Sequence, residues 1–269
     1  MRFAQTSFAF ALALANVSQA LAAPIDQNNL RQVPIGTSSV ASEAKLQDIL
    51  TGGPSFPNTA VFPGSTLDVT TDQSTYGMFG MATNPGTSIP TFVAEYTANA
   101  GSQIFGIWFG TDTSAVLTYD LFTGAATRGT NTGISIFGNT LEVIGSSLGA
   151  SLSTCGQEVN CGVVTDTRIN ANAFGFYFKP SANTATYFSL DQLNAGNERR
   201  VLSFQNGATT NWAFAYEDGI TTTGGQYGDH DYNDMVVKVE SLVAVAVPEP
   251  STLALMLAGL TGLALRRRT

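Results

Sequence analysis

Histidine and cysteine are nearly missing from this chain: one histidine, His230, and two cysteines, Cys155 and Cys161, serve 269 residues. Zinc and the other transition metals draw on imidazole and thiolate, and structural zinc usually takes four such ligands, so a two-thiolate site falls short. The cysteines lie in CGQEVNC with five residues between them, not the two of a redox Cys-x-x-Cys pair. Positive charge is also scarce, with twelve Lys and Arg against twenty Asp and Glu. Phosphate recognition needs Lys and Arg partners, so nucleic acid is excluded as a partner. No nucleotide fingerprint, nucleophile elbow, heptad seam or solenoid-length repeat occurs. Long hydrophobic runs are missing too. The apolar stretch Leu253 to Leu265 would rise only about 20 Å as a helix, against a hydrocarbon core of about 30 Å.

What is present begins at the two ends. Arg2, the apolar Phe8 to Ala15 (FAFALALA) and the small-x-small Ala20-Leu21-Ala22 build a secretory signal peptide over residues 1–22, with a mature start at Ala23. At the other end Pro248, Glu249 and Pro250 precede the short apolar run, and Arg266, Arg267 and Arg268 close it. The arginines stay on the cytoplasmic side, which leaves everything before Pro248 outside. Charge alone would fit an ordinary C-terminal anchor equally well. The order of elements over 248–269, however, resembles the PEP-CTERM sorting signal of Gram-negative bacteria. That resemblance implies export through the inner membrane and cleavage near the tripeptide by an exosortase-type processing protease. It also implies a cell-surface or extracellular-matrix destination in bacteria that secrete exopolysaccharide. The membrane is then engaged only through the C-terminal segment, before processing.

Residues 23–247 keep eight Lys and Arg against nineteen Asp and Glu, a net charge of −11. In an oxidising compartment Cys155 and Cys161 are expected to close one small disulfide loop. A short helix is expected from Val40 to Leu50 within an N-terminal segment 23–60, capped by Ser38 or Ser39, stopped by Gly52-Gly53 and lying as a lid on one open end of the domain. From residue 61 to 247 the pattern is strand-like: Phe92 to Tyr96, Ile104 to Phe109, Ala115 to Phe122, Thr140 to Ile144, Phe174 to Phe178, Thr186 to Leu190, Val201 to Phe204, Trp212 to Tyr216 and Met235 to Val243 are rich in β-branched and aromatic residues. Clusters of Gly, Asn, Asp and Pro punctuate them. The expected fold is all-β, an antiparallel, jelly-roll-like β-sandwich with one short N-terminal helix.

Chemistry concentrates between Tyr216 and Glu240. Glu217, Asp218, Asp229, Asp231, Asn233 and Asp234 gather around a Gly-rich turn at 217–234. Carboxylates this close repel unless a countercharge neutralises them, and oxygen-only ligands suit Ca²⁺ better than Mg²⁺ or a transition metal. His230, between Asp229 and Asp231, would point to the opposite side of an extended backbone and is not taken as a ligand. An EF-hand reading places Asp229, Asp231, Asn233 and Glu240 at positions 1, 3, 5 and 12, but Asp234 stands where that loop needs Gly. Met235, Val237 and Val239 alternate as a half-buried strand, which would carry Glu240 about 23 Å from Asn233 and into solvent. An Asx-rich turn without an ion is the competing reading.

YED followed by GDHDYNDMVVKV resembles the C-terminal signature of a secreted bacterial domain of unknown function, often seen as FEDL…GDxDFNDLVF. KLQDIL, DVTTDQ, FGIW, YFSLDQLNAG and WAFAYED are similar to further stations of that family, which extends the resemblance over the mature chain. It implies a calcium-binding role for Glu217, Asp218, Asp229, Asp231, Asn233 and Asp234 and no agreed enzymatic activity. The leading expectation is therefore a noncatalytic exported matrix or cell-surface protein, calcium-stabilised and associated with exopolysaccharide. A lectin-like carbohydrate-binding module is the alternative, in which Tyr76, Trp108, Tyr119 or Trp212 would stack on a sugar ring unless they pack in the core. A polysaccharide-acting hydrolase using paired carboxylates such as Glu95 and Glu142 is a second alternative.

Overall fold

The computed structural model describes residues 35, 43–83, 86–96, 101–110, 114–145, 158–180, 185–219, 221–222, 226–227 and 230–245. The signal peptide, Asp229, Cys155 and the sorting signal at 248–269 lie outside the described residues. Cys161 is not a free thiol.

Trp212, Phe214 and Tyr216 alternate with Ala213 and Ala215, and every one of these side chains is buried. Such a strand has to be covered on both faces. It is β12 (Trp212–Tyr216), and it pairs with β11 (Val201–Gln205) and β15 (Met235–Val239), which pairs in turn with β3 (Pro90–Glu95). The sheet facing it runs β16 (Leu242–Ala244), β1 (Phe79–Met81), β9 (Phe174–Lys179), β4 (Ile104–Phe109), β5 (Leu117–Phe122), with β10 (Tyr187–Phe188) also on β9. All these pairings are antiparallel. The two sheets meet through aromatic rings: Phe214 lies 4.7 Å from Phe176 and 5.0 Å from Phe79 between centroids, and Tyr216 lies 5.2 Å from Phe178. This is the expected antiparallel sandwich. A third sheet, β2 (Gly86–Ser88), β6 (Thr132–Phe137), β7 (Thr140–Gly145), β8 (Gly162–Thr165), adds Ile134, Ile136, Leu141 and Val143 to the same core.

The outward face of β12 carries only alanines, and that leaves room for a helix. α1 (Leu46–Thr51) buries Leu46, Ile49 and Leu50 in one cluster with Ala213, Ala215, Leu202, Phe204 and Val236. The helix therefore lies on a sheet face and does not cap an open end of the sandwich. It also starts later than expected: Lys45 is its N-cap, with extended backbone and no side-chain cap, while Gly52 ends it at φ 95°. Ser38 and Ser39 lie outside the described residues.

The stretch from Met235 to Val243 is two strands, not one. Ser241 takes φ 61° at the corner, sending β15 to one sheet and β16 to the other. Corners of this kind are where strands change sheets in a sandwich. Val236 is as buried as Val237, so β15 is covered on both faces and is not the half-buried strand expected. Glu240 pairs with Lys238 at 2.7 Å and stays partly exposed. On the outer face of the other sheet two glycines admit large rings: Gly106 lies opposite Tyr177 and Gly175 opposite Trp108, in direct register. A Cβ at either glycine would overlap the ring across from it. Tyr177 donates a short hydrogen bond to Asp120, and Trp108 Nε1 donates to Ser189 Oγ at 3.3 Å. Trp108 and Trp212 are fully buried, and Tyr76 and Tyr119 partly so, which makes the tryptophans core residues and not a sugar-stacking strip.

Candidate functional site

The pairing of β12 with β15 builds the site. Tyr216 stands opposite Met235, so the next residues along each strand, Glu217 and Asp234, emerge side by side, with Asp218 following. One carboxylate oxygen from each of Glu217, Asp218 and Asp234 lies within 4.8 Å of the other two. Burial makes this unusual: Glu217 is 2% exposed and Asp234 7%. Carboxylates are almost never this buried unless paired or coordinating.

Main-chain donors hold these groups in place. Asp234 Oδ2 accepts from the Asp218 N–H at 2.6 Å, and Glu217 Oε1 from the Gly219 N–H at 3.1 Å. The Glu217 N–H donates to the Arg200 carbonyl at 3.1 Å, while Arg200 Nη1 donates to the Gly219 carbonyl at 2.9 Å. Arg200 itself is buried, pairs with Glu198 at 3.1 Å and lies 4.8 Å over the Tyr187 ring. No sequence motif marked Arg200, because its role is set by which strand β12 pairs with. Burial, then the negative charges of Glu217, Asp218 and Asp231, hold the Asp234 carboxyl well above the usual carboxylate range.

The returning loop is fixed by a different set of contacts. Between β12 and β15 the chain makes a small hairpin, β13 (Thr221–Thr222) with β14 (Gln226–Tyr227). His230 and Tyr232 then adopt left-handed backbone, φ 60° and 55°. For non-glycine residues that conformation costs about 1–2 kcal/mol each. Tyr232 is buried, and its hydroxyl donates to the Arg199 carbonyl at 2.9 Å, which anchors the turn. Asp231 Oδ1 accepts from the Asn233 N–H at 3.1 Å and Asp231 Oδ2 from Asn233 Nδ2 at 2.7 Å, an Asx turn. The same Nδ2 donates to the Ala44 carbonyl at 2.9 Å, tying the loop to the segment that enters α1. With both donors directed this way, the buried Asn233 Oδ1 has no hydrogen-bond partner.

Of the six residues singled out from sequence, Glu217, Asp218 and Asp234 converge, Asp231 and Asn233 form the turn beside them, and Asp229 lies outside the described residues. The oxygen-only donor set suits a hard cation and lacks the nitrogen or sulfur a transition metal prefers. Glu95 and Glu142 sit on different sheets, β3 and β7, and Glu142 is exposed.

Residues 246–268 match the model of the PEP-CTERM protein-sorting motif. The chain carries a PEP-CTERM sorting signal. A protein with that signal is exported, processed by exosortase and destined for the cell surface or beyond it. Residues 153–242 match a domain of unknown function, DUF4114. This match takes in YFSLDQLNAG, WAFAYED and the whole acidic loop. It leaves out KLQDIL, DVTTDQ and FGIW, so the family likeness is narrower than the full mature chain. No curated protein and no solved structure matches the chain.

Proposed function

We propose that the mature chain is a noncatalytic surface or matrix protein, associated with exopolysaccharide, whose sandwich is stapled by Ca²⁺ at Glu217, Asp218 and Asp234. Asp229 and the carbonyl oxygen of Asn233 complete the ligand set, and the Cys155–Cys161 loop is closed by a disulfide. The observation that carries the reading is the convergence of three carboxylates at the paired ends of β12 and β15, two of them buried. Calcium takes six to eight oxygen ligands and would neutralise carboxylates that lie this close together. An ion there joins the last inner strand to its neighbour across the base of the hairpin, and binding only the folded chain adds stability by mass action. Because Glu217 and Asp234 face inward, the ion is committed to the fold, and polysaccharide is held by another part of the surface.

The test is the melting temperature of the mature protein with excess Ca²⁺ and with chelator. At about 100 times the dissociation constant the ion should add about 2.7 kcal/mol. A rise in melting temperature that Asp218→Asn abolishes would support the staple; equal melting in both buffers would overturn it.

A further inference from the structure

We propose that the cleft between the loop at 64–67 and the turn that follows β11 is a binding subsite for a neutral saccharide. The proposal rests on the exported setting of the reading above and not on its calcium ion. The cleft is open to solvent and has a volume of about 440 Å³, inside the range of about 300–1,000 Å³ found for small-molecule sites. Its lining includes Ser65, Asp72, Gln205 and Asn206 and contains no lysine, arginine or aromatic residue.

The polar groups are held in position yet keep bonding capacity. Asp72 Oδ2 accepts from the Asp68 N–H at 2.9 Å and Oδ1 from Thr71 Oγ1 at 3.3 Å, which orients a carboxylate that has about four acceptor sites. Gln205 Nε2 donates to the Thr209 carbonyl at 2.6 Å, so its orientation is set and Oε1 points the other way. The turn after β11 is closed by the Asn206 N–H on the Asn211 carbonyl at 3.0 Å and by Thr209 on the Asn206 carbonyl. These are main-chain bonds of Asn206, and they leave its carboxamide outside the turn's own hydrogen bonding. Fixed carboxylate and carboxamide groups match the paired donor and acceptor character of sugar hydroxyls.

The walls are open. Gly64 and Gly207 have left-handed backbone, φ 74° and 57°, and no atom lies within 4 Å of where a Cβ would stand. A ring can therefore approach the main chain at both sides. Charge selects the class of sugar: the one ionised group in the lining is Asp72, with Asp68 close by, and no cation is there to receive a uronate, sulfate or phosphate. The cleft is also separate from the acidic cluster. Gln205 pairs with Trp212 and Val201 with Tyr216, so the two features occupy opposite ends of the β11–β12 hairpin, about 13 Å apart along the strand.

The experiment is calorimetric titration of the mature protein with neutral gluco-, galacto- and manno-oligosaccharides of about two to four units, and with an oligouronate. One neutral series should bind, at least tenfold more weakly to Asn206→Ala and Asp72→Asn, with the oligouronate silent. Asn206→Ala leaves the main-chain bonds of the turn in place, and its unchanged melting temperature would show that lost binding is not lost folding. Absence of binding in all three neutral series, full binding by Asn206→Ala, or tighter binding of the oligouronate would each overturn the proposal. The calcium response of the same wild-type sample reports on the staple separately. Saccharide binding that persists without a calcium response keeps the cleft and removes the ion, and the reverse removes the cleft alone.

Discussion

Strand β12 and the residue that follows it bury side chains by opposite means. Phe214 is surrounded by Phe79 and Phe176, whose rings meet it at 5.0 and 4.7 Å, and all its partners come from the chain itself. Glu217, three residues on, is as buried as the aromatic residues before it, yet its neighbours include two more carboxylates. Apolar burial gains stability from removal of water alone, and each added ring improves the packing. Carboxylate burial loses hydration and adds repulsion unless a positive group arrives. The core is therefore self-sufficient, whereas the corner at Glu217 and Asp234 is where the proposed ion would act.

The contrast breaks most sharply at Phe214. Phe214→Ala should remove about 3–5 kcal/mol, because it deletes the ring at the middle of the sandwich and leaves a cavity. Denaturant unfolding should show this loss by the same amount in calcium and in chelator. A loss confined to one buffer would mean that the core and the acidic corner are coupled, and the comparison would fail.

Substituting the acidic corner should have an effect whose sign depends on the buffer. Asp234→Asn keeps an acceptor for the Asp218 N–H and removes a buried carboxyl that Glu217 and Asp218 keep from ionising. In chelator it should stabilise the protein increasingly as pH rises, because the wild-type carboxyl must then either hold its proton or ionise beside them. In calcium it should destabilise, since a ligand has gone. A variant less stable than wild type in both buffers would make the carboxylate a purely structural hydrogen-bond acceptor.

The same contrast explains what could be read from the sequence. Trp212 to Tyr216 was legible as a strand to the residue, and Ile104 to Phe109 likewise, because their apolar runs are bounded by turn residues. Phe79–Met81, Gly86–Ser88, Thr132–Phe137 and Gly162–Thr165 were not foreseen as strands. Each is short or broken by polar residues and is held by its partners; Gly133, for one, lies beneath Ile144 of the neighbouring strand. Helix α1 begins at Leu46, and residues 43–45 before it are not helical although Ala44 is already buried in the same cluster. The acidic composition of 217–234 was plain, but which oxygens converge depends on the Tyr216–Met235 register, a non-local fact. Asp231 and Asn233 form an Asx turn with each other, and the Asn233 side-chain oxygen stays outside that turn's hydrogen bonds.

The smallest expected effect, and the most selective, is on pH. With its carboxyl held above the ordinary value of 3.8, Asp234 binds a proton more tightly in the folded chain than in the unfolded one. Its contribution to stability is then fully present below that ordinary value and is lost as pH rises through the folded value. In chelator the melting temperature should fall as pH rises from about 4 toward about 10, the span between the unfolded and the folded value of this carboxyl. Excess Ca²⁺ should flatten the fall, because the ion occupies the place the proton would take, and Asp234→Asn should flatten it in chelator as well. Aromatic burial has no counterpart to this behaviour: Phe214→Ala should shift the whole pH curve downward without changing its slope. If wild-type melting in chelator is level across that window, the corner is already neutralised by the protein, and the contrast between the two kinds of burial disappears.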